Sequence, residues 1–214
     1  MTATTDLLPQ LAQLRPLIER AQRRAAERGR PVLASLTVVL PGGAYSPLAL
    51  IDQPDAFLWD QPSRGFSIAA SGQAARIAAE GPSRFEETRL QLQRLLAEAL
   101  IVRDGAPVAS PIAYAGFAFD PQHPDNVAWF GFPDGAIVVP RLLLTLDGSQ
   151  RLLTTNALVD ADTDAAGVAS DLISDASRAL VTPAPRTGAE PPARLLDPGE
   201  DARVYWGESV LGLT

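Results

Sequence analysis

The residues that could carry chemistry in this chain are few and scattered. Asp160, Asp162, Asp164, Gly167 and Asp171 follow a spacing reminiscent of a calcium loop. The sixth position is Ala165 where that loop needs glycine, and the last is Asp171 rather than glutamate. Acidic residues at a helix N-terminus already satisfy free amides and the helix dipole, so helix capping is the expected role. His123 is the single histidine and stands between prolines in DPQHPDN, with no nucleophile or second ligand in its neighbourhood. Glu86 and Glu87 are adjacent, and neighbours on a helix point about 100° apart, so they cannot share a proton as an acid/base pair. Pro41-Gly42-Gly43 has the glycines of a phosphate cradle but no G-x-x-x-x-G-K-[ST] frame, and reads as a turn. All 18 basic residues are arginine. Schiff-base chemistry and lysine general-base catalysis are therefore closed to these residues, and thiolate chemistry is closed by the absence of cysteine. The motifs of mechanism point to no catalytic, cofactor-binding or metal-binding residue.

The elements around these residues are easier to read. Leu7, Leu11, Leu14, Ile18, Ala21 and Ala25 recur at steps of four and three, which predicts a helix over 6–28 stopped by Gly29. Arg20, Arg23, Arg24 and Arg28 lie off that seam and read as a solvated face rather than a binding patch. Strands are expected at 32–40, 56–59, 66–70, 111–119, 137–146 and 151–159, the last two joined at Asp147-Gly148. Ser83 and Glu86 give a capping-box pattern ahead of a helix expected to run to about Arg103, and a last helix is expected over 163–180. Helix, strands, helix, strands, helix is an α+β order rather than strict βαβ alternation. The stretch 181–201 holds five prolines and reads as a linker, with only ARVYWGESVLGLT beyond it.

A net charge of −7 argues against a general nucleic-acid binder, and no apolar run approaches the roughly 20 residues that span a bilayer. MTATTDLLPQLAQL carries no secretory pattern, so a cytoplasmic location is expected.

Five unusual segments occur in order: FLWDQPSRGFSIAA (57–70), EGPSRFEE (80–87), AGFAFDP (115–121), WFGFPDG (129–135) and VPRLLL (139–144). Together they resemble the N-terminal half of isochorismate synthases, within the chorismate-utilising enzymes related to anthranilate synthase component I. The resemblance covers roughly residues 30–180. Anthranilate synthases carry a Leu-Leu-Glu-Ser element that helps bind feedback tryptophan. Here Leu58-Trp59-Asp60-Gln61 precedes Pro62-Ser63-Arg64-Gly65-Phe66, which is similar to the isochorismate version. The missing element disfavours a sibling enzyme that makes an amino product. Asp60 and Arg64 are expected to fix strand geometry, and Trp59 to anchor a core edge.

The resemblance implies the N-terminal part of a four-layer α/β/β/α fold with two antiparallel sheets. It implies Mg²⁺ holding the substrate carboxylate, a lysine activating water to attack chorismate at C2, and a glutamic acid assisting departure of the C4 hydroxyl. In the family those groups, the magnesium-binding glutamates and a substrate-binding arginine belong to the C-terminal half, which begins near a Trp such as Trp206. The expected organisation is thus 1–181 as an isochorismate-synthase-type N-terminal domain, 182–200 as a Pro-rich linker and 201–214 as a truncated start of the catalytic domain. Such a chain is expected to be inactive alone, to bind no Mg²⁺ itself, and to meet chorismate only through the missing half. Uncovered inner faces of strands 112–119 and 137–146 would then drive self-association or pairing with a partner half. The product would feed menaquinone or a siderophore. The alternative is a stand-alone ligand-binding or regulatory module that pairs with a separate chorismate-binding chain.

Overall fold

The computed structural model describes residues 3–42, 45–106, 111–119 and 133–180, with side chains described from Leu7 onward. The chain divides after Thr182, and the described residues belong to the first unit. They form one seven-stranded sheet with helices on both faces.

The amphipathic N-terminal pattern gives two helices rather than one, α1 (Ala3–Leu11) and α2 (Leu14–Arg28). Pro16 explains the break: it has no N–H for the carbonyl four residues back, so the helix restarts two residues ahead of it, at Leu14, with Pro16 in the first turn. Gly29 closes α2 in the left-handed conformation (φ 64°), its amide donating to the Ala25 carbonyl at 2.8 Å. β1 (Val32–Val39) follows, then β2 (Phe57–Gln61), β3 (Phe66–Ala79), α3 (Arg84–Glu98), β4 (Leu100–Asp104), β5 (Tyr114–Phe117), β6 (Gly135–Asp147), β7 (Gln150–Val159) and α4 (Ala165–Ala179).

The strand order is β2-β3-β6-β7-β1-β4, with β5 paired to β6 beside β7. Only the β1–β4 pair is parallel; the other five pairs among the described residues are antiparallel. This is the α+β, antiparallel-dominated class that the element order implies. Among the described residues there is a single sheet. The β6–β7 hairpin turns through Gly148 and Ser149, with positive φ at Gly148, where a two-residue loop favours glycine.

Two further elements depart from the sequence expectation. The apolar spacing of α3 continues through Ala99 and Leu100, which extends the predicted helix to about Arg103. In the structure Ala99 turns extended (φ −60°, ψ 143°) and LIVRD becomes β4, paired to Ala34–Val38. Ile101 and Val102 gain more from a pleated surface beside β1 than from another helical turn. β3 likewise continues nine residues past the expected end at Ala70, because Ser71–Ala79 pairs along β6 through a register shift between Gln73 and Ala75.

Strands alternate side chains between faces, and the two faces differ. On one, Ala34, Leu36 and Val38 of β1, Leu142 and Leu144 of β6, and Leu153, Ala157 and Val159 of β7 join buried residues of α1, α2 and α4 in a continuous core. On the other, Leu33, Ala75 and Val139 pack against Leu92, Leu95 and Leu96 of α3. β6 is covered on both faces: Ile137, Val139, Leu142, Leu143 and Leu144 are all buried, with α3 and α4 packed on the strand. The expected uncovered face of 137–146 is therefore absent, because helices flank the sheet on both sides. Exposed large apolar side chains are scattered instead, among them Leu48 ahead of β2, Leu58 and Trp59 of β2, Phe85 of α3, Phe117 and Phe119 at the β5 end, and Leu158 of β7.

Candidate functional site

The unusual segments converge physically. At the start of α3, Arg84 of EGPSRFEE is buried (5% exposed), a costly place for a cation, and only its two Nη groups find acceptors among the described residues while Nε has none. Its Nη1 donates to the Gly81 carbonyl at 3.1 Å and its Nη2 to the Ala118 carbonyl at 2.9 Å. The guanidinium lies 4.4 Å over the Phe85 ring, and Phe85 packs on Phe117 of AGFAFDP with centroids 4.5 Å apart. Asp134 closes the joint. Its carboxylate accepts from the Gly81 amide at 2.6 Å, while its carbonyl accepts from the Ala118 amide at 2.7 Å. A Cβ on Gly135 would fall 2.7 Å from the Phe117 ring, so only glycine fits there. Three motif segments are thereby locked to one another by one arginine, one aspartate and a glycine. Among the described residues the joint presents carbonyl acceptors, one carboxylate and aromatic faces, an arrangement that positions elements against one another.

The capping box does not form at this helix. Ser83 is helical (φ −83°, ψ 0°) and makes no cap bond; its hydroxyl donates to Glu87, while Glu86 pairs with Arg89 one turn on. With Ser83 already helical, its hydroxyl lies on the helix surface rather than over the free amides. The Arg89 hydrogen bond is the main cause holding the Glu86 carboxyl below its ordinary range.

The opening segment lies on β2 and β3. Asp60 accepts a hydrogen bond from Ser67 across the pair, and Gly65 (φ 61°) ends a short 3₁₀ turn over Pro62–Arg64. Arg64 lies in that turn and takes no part in the Asp60 bond. Trp59 is 52% exposed on β2, so among the described residues it anchors no core edge; β2 pairs there on one side only, with β3. Phe57 instead stacks on Tyr114 with centroids 4.5 Å apart. Burial, with a lesser contribution from the Asp55 carboxylate, pushes the Tyr114 hydroxyl above the usual phenol range.

The acidic run before α4 is a helix cap. One Asp164 oxygen accepts from the Ala166 and Gly167 amides, both at 3.1 Å, and Thr163 caps the Asp160 amide. The turn at Pro41 and Gly42 is closed by Tyr45, whose hydroxyl donates to the Pro41 carbonyl. Arg20, Arg23, Arg24 and Arg28 do share one open recess with Glu27 and Leu100, of about 440 Å³. His123, Gly43, Trp129 and residues 181–214, the linker and Trp206 among them, lie outside the described residues. No three carboxylate, histidine or cysteine side chains meet among the described residues in a way that could hold a metal ion. Among the described residues there is thus no donor set that fits Mg²⁺. None of the described helices is long and apolar enough to cross a membrane.

Helix-flanked sheet and motif-built joint together define an α+β domain. A family model described as chorismate binding enzyme matches residues 19–212, and the chain belongs to that family. It is 27% identical over 131 residues to the isochorismate synthase MenF of Bacillus subtilis (strain 168), a match covering 58% of this chain and 28% of that protein. It is also similar to the menaquinone-specific isochorismate synthase MenF of Escherichia coli, with a TM-score of 0.47 and 15% identity over 80% of this chain and 36% of that one. The chain thus spans about a third or less of the length of the isochorismate synthases it matches.

Proposed function

We propose that this chain supplies the N-terminal scaffold domain of an isochorismate synthase, residues 1–181, and that the complete enzyme converts chorismate to isochorismate with Mg²⁺. The observation that carries this reading is the family match over 19–212 together with the identity to an isochorismate synthase. The reaction adds water at C2 of chorismate and expels the C4 hydroxyl, which calls for a base, an acid and a cation for the carboxylate. The chain has no lysine, and its described residues offer no metal-binding cluster. Base, acid and cation site are therefore contributed by a chorismate-binding segment beyond 181–200, on the same polypeptide or on a partner. The relatives' names favour menaquinone over a siderophore as the destination of the product.

Native cell extract depleted with antibody against residues 1–180 tests this. Isochorismate formation from chorismate and Mg²⁺ is expected to leave with the precipitate, which contains the chorismate-binding segment, while the purified 214-residue chain forms none. Undiminished activity in the depleted extract overturns the reading. Turnover by the purified chain alone overturns the placement of the catalytic groups.

A further inference from the structure

A cleft of about 290 Å³ opens between α4, the β3–β6 pair and the turn before β2. It lies on the opposite side of β3 and β6 from the contacts of α3, and it has the make-up of a small-ligand site: apolar walls with a few convergent polar groups. Leu50, Pro54, Leu142 and Ala179 supply the walls. The polar groups are Arg141, Asp175 and Arg178, with the Ser71 hydroxyl and the Gln53 amide also on the lining.

The backbone is shaped for this. Gly72 sits opposite Arg141 at φ 62°, just ahead of the β3 register shift, and its amide donates to the Pro54 carbonyl at 2.9 Å. A Cβ there would come within 3.1 Å of the Arg141 Cβ, so glycine lets the arginine stem lie against the strand. Asp175 then organises two guanidinium groups at once. Its Oδ2 accepts from Arg141 Nε and its Oδ1 from Arg178 Nη2, at 2.9 and 2.8 Å. One carboxylate faces two cations, which leaves a single uncompensated positive charge in a cleft where Arg141 and Asp175 are each only 30% exposed. Arg141 is engaged through Nε alone, which keeps its two Nη groups for a second acceptor.

From this geometry we infer that the cleft binds a small monocarboxylate with an apolar body. The free guanidinium fork matches a carboxylate bidentately. The apolar walls fit a ring or branched chain, which a phosphate lacks. This site does not depend on the chorismate reading above, since it uses none of the family's catalytic positions.

Titration calorimetry on the full chain with benzoate, benzamide and inorganic phosphate decides it. Benzoate is expected to saturate the site, with benzamide and phosphate each bound about tenfold more weakly or worse, in line with the strength of charge-assisted bonds. Arg178→Gln removes one of the two cations at a position 64% exposed, where the fold does not depend on it, and is expected to weaken benzoate about tenfold. Arg141→Gln is expected to abolish binding. If that variant fails to fold, Arg178→Gln still decides. No saturation by benzoate, equal affinity for benzamide, tighter phosphate binding, or an unchanged Arg178→Gln variant each overturns the inference.

Discussion

The two faces of the sheet are built on different rules. Toward α1, α2 and α4 the core is apolar from Leu7 through Ile18, Leu36, Leu144 and Leu172, with Thr155 of β7 as a buried polar exception opposite Leu36. On the opposite face the alternate residues of the same two strands read Leu33, Ser35, Thr37 on β1 and Thr154, Asn156, Leu158 on β7. Ser35 stands directly across from Asn156 and Thr37 from Thr154, and all four are buried. Thr37 and Thr154 join hydroxyls at 2.9 Å, and Asn156 donates to the Pro140 carbonyl at 2.8 Å. One face holds the domain together by apolar area; the other exchanges part of that area for fixed, directional polar groups. Buried polar networks of this kind are high-stakes, since each member must keep its partner.

The comparison breaks most visibly at Leu36, which is 1% exposed on the apolar face. Leu36→Ala is expected to destabilise the chain by about 3 kcal/mol, from lost transfer energy and the cavity left behind. Leu158→Ala removes the same atoms from the polar face at a position 37% exposed, and is expected to cost under about 1 kcal/mol. Urea midpoints of the two variants measure the contrast. Equal losses would mean that the faces share the load and that the distinction drawn here is wrong.

Asn156 sharpens the other side. Asn156→Leu keeps the volume but strands the Pro140 carbonyl, which cannot turn to water in a fully buried site. A loss of about 1–3 kcal/mol is expected, the penalty for an unsatisfied buried acceptor. Were the variant as stable as the parent, the amide would be ornamental and the polar face merely a tolerated weakness in the core.

What could be read from the sequence follows the same division. The apolar face was legible because its signals are local: the α2 stripe, the β-branched run of β1 and the Asp147-Gly148 hairpin all repeat within a few residues. β4 was hidden because Leu96, Ala99 and Leu100 prolong the helical period of α3, and only pairing with β1 recruits LIVRD into the sheet. Trp59 looked like an anchor because tryptophan is usually buried, but nothing local tells an edge strand from a central one. The family segments were recognisable as a set, whereas their physical role was not. Arg84 meets Ala118 across 34 positions, and Arg141 meets Asp175 across 34 more, contacts that no spacing rule encodes. The signal available for the cleft was Gly72, a glycine inside a strand pattern, which marks a bulge or a close approach.

Ser35 gives the smallest effect and the finest test of how the polar face is arranged. Its hydroxyl is fully buried and has no hydrogen-bond partner, as is the case for the Oδ1 of Asn156 directly opposite. A buried hydroxyl without a partner costs stability, so Ser35→Ala should be neutral or stabilising by about 0.5–1 kcal/mol, against the usual direction for a core substitution. The expected rise in urea midpoint should persist in an Asn156→Leu background, because the two side chains do not bond each other. A drop instead would mean that Ser35 and Asn156 share a buried water, which the alanine variant evicts. In that case the two effects would fail to add, and the polar face would be a hydrated network rather than a set of direct contacts.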